Sequence, residues 1–541
     1  MVRSLLLVIS LYAALLSYLF PQTIEKPKLI IGIVVDQMRF VDLYKYMDHF
    51  TEDGFKKLLR EGANFTNAYY NYHPTTTGPG HASIYTGTTP YYHGIIGNEF
   101  NDKLQKRMVN CVEDTFYETV GSKSANGKKS PKYLLSSTIT DELKLFTNFK
   151  SKVISISIKD RGAIFPGGFT ADGAFWYDPE NGNFITSTFY MKDLPVWVKN
   201  FNDKKLVDSF LQKSWDLLLD NKIYSSYSNE DNSPFEYDVF NEGKTSFPHK
   251  FENLTSTKKY TAFISTPFAN ELILKFTREA IIHENLGEDE IPDFLAISFS
   301  STDYIGHSWG NFSFELMDTY IRLDRQLGEF IKFLDEKIGH SKYLLFLTSD
   351  HGAIETPQIL KLNKFPTSEL KNSDIINSVE TILKNKFKTE NLIENFSNGQ
   401  FFINHKVLAE KNLSYNEVVN AIVIHLRTTY PEIQNIYTRL DFEKQVAKRD
   451  AENMTLNGWH PFRSGDVILT LRPYTMSRIL EKGTSHSTPY SYDTHIPLIF
   501  YGWKIPAQVR NENVYVTDIA ATLASLLKIK RPSSCIGVSL F

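Results

Sequence analysis

The chain has 541 residues, room for two or three average domains or for one large α/β domain with insertions. Its 42% hydrophobic and 14% aromatic content indicates a large packed core and excludes a disordered chain. A formal charge of -3, without a long basic run, gives no sign of the clustered positive surface that nucleic-acid binding needs.

Arg3 precedes an apolar run, Leu5 to Leu19, which has the length of a signal h-region and is short for a membrane span. Residues 1–20 are therefore expected to be a signal peptide and the mature protein periplasmic or secreted, with an uncleaved anchor as the alternative. No small-x-small site marks the cleavage point. Cys111 and Cys535 are the only cysteines, so a disulfide-built scaffold and a cysteine-rich zinc site are both excluded. A single bridge between them stays open.

Lys28 to Val35 (KLIIGIVV) is a continuous apolar, β-branched run, the pattern of a strand covered on both faces, and it ends at Asp36. A helix is expected around Glu52 to Glu61 and a strand from Phe65 to Tyr72. Then comes HPTTTGPGHASIYTG, His73 to Gly87. Thr77 stands between that strand and a helix expected to open at Ala82 to Tyr85, where free N–H groups and the helix dipole favour an anion or a developing alkoxide. Alone, the stretch reads first as an ordinary turn with a capping threonine. Asn98 closes Gly-Ile-Ile-Gly-Asn and can donate to a phosphoryl oxygen or simply form a turn.

Helical spacing from Ser136 to Thr147 leads into the strand Lys152 to Ile158 (KVISISI). Lys159-Asp160-Arg161-Gly162 follows at once, placing two cations at alternate positions of a strand exit, where they can clamp an oxyanion or stand solvated at the rim. Asp178 to Gly182 (DPENG) signals a hairpin. Leu194 to Asp220 has helical spacing, and the polar stretch Ser225 to Lys258 is expected as a long loop or insertion. After a helix from Phe268 to His283, the strand Phe294 to Phe299 (FLAISF) leads to Asp303 and His307, which meet on one metal if the exit is helical.

A long amphipathic helix is expected over Phe314 to Ile338. The strand Tyr343 to Leu347 then ends in Asp350-His351-Gly352. Residues 360–474 break the strand-helix rhythm with helices at Ile375 to Phe387 and Tyr415 to Tyr430 and short strand pairs, and are expected as a smaller inserted lobe. His486 ends Gly-Thr-Ser-His, Ile496 to Tyr501 (IPLIFY) is a buried strand, and Asp518 to Leu527 a helix. The fold class expected is α/β, a mostly parallel central sheet with helices on both faces, forming one domain over 21–541 that includes the lobe.

Four buried-type strands thus end in Asp, Lys/Arg, Asp-x-x-x-His or Asp-His, and an open α/β sheet brings such ends together. Asp36, Asp303, His307, Asp350, His351 and His486 supply three carboxylates and three imidazoles. That donor set suits zinc, with manganese or iron as alternatives. Six ligands exceed what one tetrahedral zinc takes, and two ions about 4 Å apart form the clamp used for in-line phosphoryl displacement.

The pieces VVDQM, TTTGPGH, GIIGN, KDRG, STDYIGH, TSDHG and GTSH run in this order from Asp36 to His486. Together they resemble the alkaline phosphatase superfamily, in the two-zinc, threonine-nucleophile branch that holds type I phosphodiesterases/nucleotide pyrophosphatases and flavobacterial phosphate-irrepressible alkaline phosphatases. The resemblance implies one Zn2+ on Asp303, His307 and His486 and a second on Asp36, Asp350 and His351, with the Thr77 oxygen also on the second. It implies Thr77 as a nucleophile that becomes phosphothreonine, and Asn98, Lys159 and Arg161 as substrate-binding residues.

KDRG is associated with the monoesterase members. A monoester dianion has the free oxygens that an Arg, a Lys and an Asn together can hold. The expected activity is that of an exported alkaline phosphatase acting on small-molecule phosphate monoesters. A phosphodiesterase or nucleotide pyrophosphatase is the first alternative, and a phosphate-ester-binding protein without turnover the second. Sulfatases of this fold need a C/S-x-P-x-R context, which neither cysteine has. His81 and His495 are expected to be structural. No nucleic-acid partner and no membrane contact beyond the signal segment are expected.

Overall fold

The computed structural model describes residues 25–478 and 482–541; the expected signal segment lies outside them. The centre is an eleven-stranded sheet. Its longer strands are β1 (Leu29–Val35), β2 (Ala63–Tyr69), β3 (Val153–Ser157), β4 (Gly173–Asp178), β5 (Asn183–Ser187), β6 (Asp293–Phe299), β7 (Tyr343–Thr348) and β8 (His495–Gly502). They lie in the order β2-β8-β7-β1-β6-β3-β4-β5. The inner strands β7, β1, β6, β3 and β4 run parallel, whereas β8 is antiparallel to both β7 and β2, and β5 to β4.

The apolar run of β1 follows from its place in the middle. Side chains alternate across a strand, so Leu29, Ile31, Ile33 and Val35 enter one core with the helix Pro267–His283. Ile30 and Val34 enter the other, with Ile84, Tyr85 and the helix Asp518–Leu527. Both faces being covered, a polar residue has no position open to it until the strand ends at Asp36.

The helices that carry site residues are α1 (Thr77–Thr86), α2 (Asp160–Gly167) and α3 (Ser301–Trp309). Two of these differ from expectation. Helix α1 opens at Thr77 itself and not at Ala82, because Pro79 falls in the first turn, where a missing N–H costs nothing. Lys159 and Arg161 do not share a strand exit either: Lys159 caps α2 and Arg161 lies in its first turn, so the helix and not a strand pleat sets their directions.

Further along, the helical spacing from Leu194 to Asp220 yields two short helices, Val196–Asp203 and Leu206–Phe210, and then irregular chain. There Trp215 pairs with His249 and its indole N–H donates to Asp318 Oδ2 at 2.7 Å, so tertiary hydrogen bonds replace helical ones. Cys111 and Cys535 are both free; they pack beside Gly78 and Gly87 at opposite ends of α1.

Between β7 and β8 the chain builds a second, antiparallel sheet of Ile393–Ser397, Gln400–Ile403, Val467–Leu471 and Ile433–Thr438. With the helices Asn372–Phe387 and Tyr415–Thr429 it encloses a hydrophobic cluster of its own.

The segment 225–258 has little regular structure yet is pinned to the site. Tyr237 N–H donates to Ser308 O at the end of α3, and Gly483 N–H donates to Phe235 O, both at 2.9 Å. Beneath it, buried His249 lies between Glu242 at 3.2 Å and Glu315 at 3.0 Å. Burial, with repulsion from Glu315 next, pushes the Glu236 carboxyl up to about 9. The folded chain therefore keeps a proton that the unfolded chain releases above its ordinary value of 4.5, and this stabilisation falls away as pH rises from there towards about 9. Glu236→Gln is expected to gain stability on the parent chain progressively between about pH 5 and about pH 9 in urea unfolding. Parallel pH curves for the two would contradict this.

Candidate active site

The carboxyl ends of β1, β6 and β7 and the loop before β8 deliver six ligand-type residues to one place. Asp303, His307 and His486 form one group, and Asp36, Asp350 and His351 a second, with the ligand atoms within each group no more than 4.8 Å apart. Helix α3 sets Asp303 and His307 one turn apart on the same face, His307 Nε2 being 3.2 Å from Asp303 Oδ1. In the second group, His351 Nε2 lies 3.5 Å from Asp36 Oδ1 and 3.7 Å from Asp350 Oδ2.

All three imidazoles are held through the same atom. His307 Nδ1 faces Thr484 O at 2.8 Å, His486 Nδ1 faces Thr75 O at 2.6 Å, and His351 Nδ1 faces Gly352 O at 2.9 Å. A carbonyl only accepts, so each Nδ1 carries the hydrogen and each Nε2 presents a lone pair to the cluster. This is the orientation that metal-binding histidines receive from a backbone carbonyl. Burial keeps the imidazole of His351 neutral by lowering its pKa to about 3, and burial likewise holds that of His486 well down. Asp303 has the opposite effect on His307, outweighing burial and raising it.

The donor atoms and the charge balance both fit a pair of divalent cations. Asp36 Oδ1, Asp350 Oδ2 and His351 Nε2 are buried without a hydrogen-bond partner, a costly state for three groups at one point. Burial and repulsion from Asp350 push the Asp36 carboxyl well up, and burial pushes that of Asp350 up to about 6. Asp303 is held well down despite burial by His307 and Lys159. Three buried carboxylates thus converge on too little positive charge, and the donors are the nitrogen and oxygen types that zinc takes.

The Lys159 ammonium supplies part of what is lacking. Its Nζ lies 2.6 Å from Asp36 Oδ2, 2.6 Å from Asp303 Oδ2 and 3.1 Å from Thr77 Oγ1, bridging the two groups and the candidate nucleophile. Burial alone would lower its pKa, but the two carboxylates reverse this and hold it above the ordinary lysine value. Arg161 has its Nε buried and unpartnered, and its ion pair with Asp160 is a loose 3.5 Å. Asn98 Oδ1 accepts the Gly78 N–H at 2.7 Å, which leaves its amide hydrogens directed elsewhere beside Thr77.

Close packing brings α1 to this point. A Cβ on Gly80 would stand 2.5 Å from the Asp350 carbonyl, so only glycine lets α1 lie against the exit of β7. A Cβ on Gly306 would collide with Gln37 Oε1. Gln37 stands in the VVDQM piece with no role assigned to it there, yet its side-chain amide donates to Asp303 Oδ1 at 2.6 Å and its backbone N–H to Asp350 Oδ1 at 3.1 Å, tying one group to the other. Its φ of 64° was the one feature that could have flagged it, and no residue type announces that angle here. His81 holds the helix, its Nδ1 donating to Thr77 O and its Nε2 accepting from Ser298 Oγ, both at 2.9 Å. His495 opens β8 and bonds Thr66 O at 2.8 Å, away from the cluster.

A largely parallel sheet with two carboxylate-imidazole groups meeting beside a helix-borne threonine defines an alkaline-phosphatase-like α/β protein. The type I phosphodiesterase / nucleotide pyrophosphatase family model matches residues 30–491, and the chain belongs to that family. It is 41% identical over 523 residues to alkaline phosphatase PhoV of Synechococcus elongatus, covering 96% of this chain and 93% of that protein. It is 39% identical over 515 residues to alkaline phosphatase PafA of Elizabethkingia meningoseptica, covering 95% and 94%. The crystal structure of wild-type PafA superimposes with a TM-score of 0.91 at 38% identity, covering 96% of this chain and 99% of that one.

Replacing Lys159 leaves Asp36 and Asp303 without their bridging cation. In the metal-free protein Lys159→Met is expected to lose about 3–5 kcal/mol of stability, the cost of breaking a buried ion pair. Chemical denaturation after chelation measures it, and a loss below about 1 kcal/mol would show that the carboxylates do not depend on the ammonium.

Proposed function

We propose that the protein is an exported alkaline phosphatase that hydrolyses small-molecule phosphate monoesters through a phosphothreonine intermediate, with two zinc ions as its cofactor. The observation that carries this reading is the position of Thr77 Oγ1, which accepts from the Lys159 ammonium at 3.1 Å where the two ligand groups meet. Two relatives that share about two fifths of the sequence and bear the name alkaline phosphatase support it. The apolar segment near the N-terminus supports export; among the described residues no helix is long and apolar enough to cross a membrane.

Asp303, His307 and His486 would hold one ion, and Asp36, Asp350 and His351 the other. When bound, such a pair supplies Lewis-acid chemistry, acidifying a hydroxyl and neutralising charge on a leaving oxygen. The residues do the rest. Thr77 Oγ attacks phosphorus, its proton passing to solvent, and the bond from phosphorus to the alcohol oxygen breaks. Lys159 lowers the cost of negative charge on Oγ, and the N-terminal end of α1 acts in the same direction. Arg161 and the Asn98 amide hold the transferring phosphoryl oxygens. Water then attacks phosphothreonine, releasing inorganic phosphate and restoring Thr77.

Thr77→Ala is expected to retain its zinc, measured by elemental analysis, while losing roughly 10^4 to 10^6 in turnover of an aryl phosphate. Activity within tenfold of the parent would remove Thr77 from the reaction. Arg161→Ala should cost more with an aryl phosphate than with its methyl diester, because the dianion has one more charge to hold. Equal losses would deny Arg161 that role. A parent enzyme that turns over the diester faster than the monoester would move the protein to the phosphodiesterase reading.

A further inference from the structure

A cavity of about 210 Å³ separates the lobe from the catalytic core, and its wall includes His486. On the core side it is bounded by His73, Pro74 and the loop from Ser485 to Pro489. On the lobe side Leu370, Ile375, Phe396 and Leu469 close it. Asn398, at one end, abuts Gly97, the neighbour of Asn98. The cavity therefore reaches from one ligand group towards the substrate-binding corner. A concave space bounded by apolar side chains and by uncharged polar ones in about equal number is the form of a small-molecule site.

Three features say what it takes. No Asp, Glu, Lys or Arg is among its described wall residues, so a charged group entering it would lose water and gain no counter-charge from them. Thr470, one of the wall residues, has a buried hydroxyl with no partner. The size exceeds the roughly 150 Å³ of an apolar cavity that accepts benzene, so one ring or a chain of several carbons fits.

The position decides its role. Asp36, Asp350 and His351 are wholly buried, whereas the His486 and His307 side chains are 8% and 27% exposed. The centre thus opens past His486 and His307, and an in-line displacement must send its leaving group through an open side.

We propose that this cavity binds the alcohol portion of the substrate, making the protein selective for phosphate monoesters of uncharged alkyl or aryl alcohols. The proposal rests on the monoesterase reading above and adds the class of alcohol. It gives the lobe a part in selection: the catalytic core supplies the phosphoryl chemistry, and the 360–474 lobe supplies the far wall against which the organic group is buried.

The test uses the zinc-loaded enzyme and n-alkyl phosphates from methyl to hexyl, whose leaving alcohols are of similar acidity. In the parent protein kcat/KM is expected to rise about three- to fourfold per methylene until the cavity is full, the gain of a buried CH2. An ester of the same length ending in a carboxylate should gain nothing. Leu471→Trp, which fills the wall, should lower the hexyl-to-methyl ratio at least tenfold, and Phe396→Ala should extend the rise to longer chains. A flat series in the parent protein, or a hexyl-to-methyl ratio unchanged in both variants, would overturn the proposal. Should Leu471→Trp fail to fold, the parent series and Phe396→Ala decide it. A flat series with methyl phosphate still turned over leaves the monoesterase reading standing; preference for a diester over every monoester removes that reading instead.

Discussion

Three carboxylates, buried together at the carboxyl edge of a parallel sheet, make the demand that organises this protein. Asp36, Asp303 and Asp350 each lose water on burial, and each repels the others. In a low-dielectric interior such an arrangement persists only if cations stand among the carboxylates. Lys159 answers part of the demand from within the chain, bonding one carboxylate of each group. The neutral, oriented imidazoles of His351 and His486 answer none of it, because they bring lone pairs and no charge. A shortage of positive charge remains, and the two donor groups around it are of the kind that can hold metal ions.

The same centre explains how much of the surrounding structure is spent on angles. Three backbone carbonyls, from Thr75, Gly352 and Thr484, each take the Nδ1 hydrogen of one histidine. Gln37 fastens Asp303 to the neighbourhood of Asp350, and His81 fastens the first turn of α1 to β6 through Ser298. Gly80 lets that helix lie against Asp350. Thr77, at the start of that helix, is thereby held with its Oγ1 facing the Lys159 ammonium at 3.1 Å.

The lobe stands apart from this in its own core and close to it in its contact. Its hydrophobic cluster is separate from the two that flank the main sheet. What it shares with the catalytic core is a boundary, and the cavity at that boundary touches a ligand-type histidine. The polar segment 225–258 likewise reaches the site by two backbone hydrogen bonds, to Ser308 and from Gly483, although it carries none of the ligand residues. Both additions act on a centre whose chemistry comes from the strand ends.

The sequence alone determined the strands that are buried on both faces and the polar residues at their carboxyl ends. A run such as Leu29 to Val35 has a single reading once every position is apolar, and the polar residue that ends it must lie at the sheet edge. Asp36, Asp303, His307, Asp350 and His351 were legible for that reason, Thr77 for its place between a strand and a helix, and His486 as a further histidine in a loop. Tertiary structure decided what depends on partners distant in sequence. The direction of β8 is set by pairing with β7 and β2, not by its own apolar pattern. The aim of Lys159 is set by two aspartates 123 and 144 residues away. Gln37 joins the site through a backbone angle that its residue type does not declare. Local sequence carries periodicity and chemistry, but charge balance and packing are sums over neighbours that only the folded chain brings together.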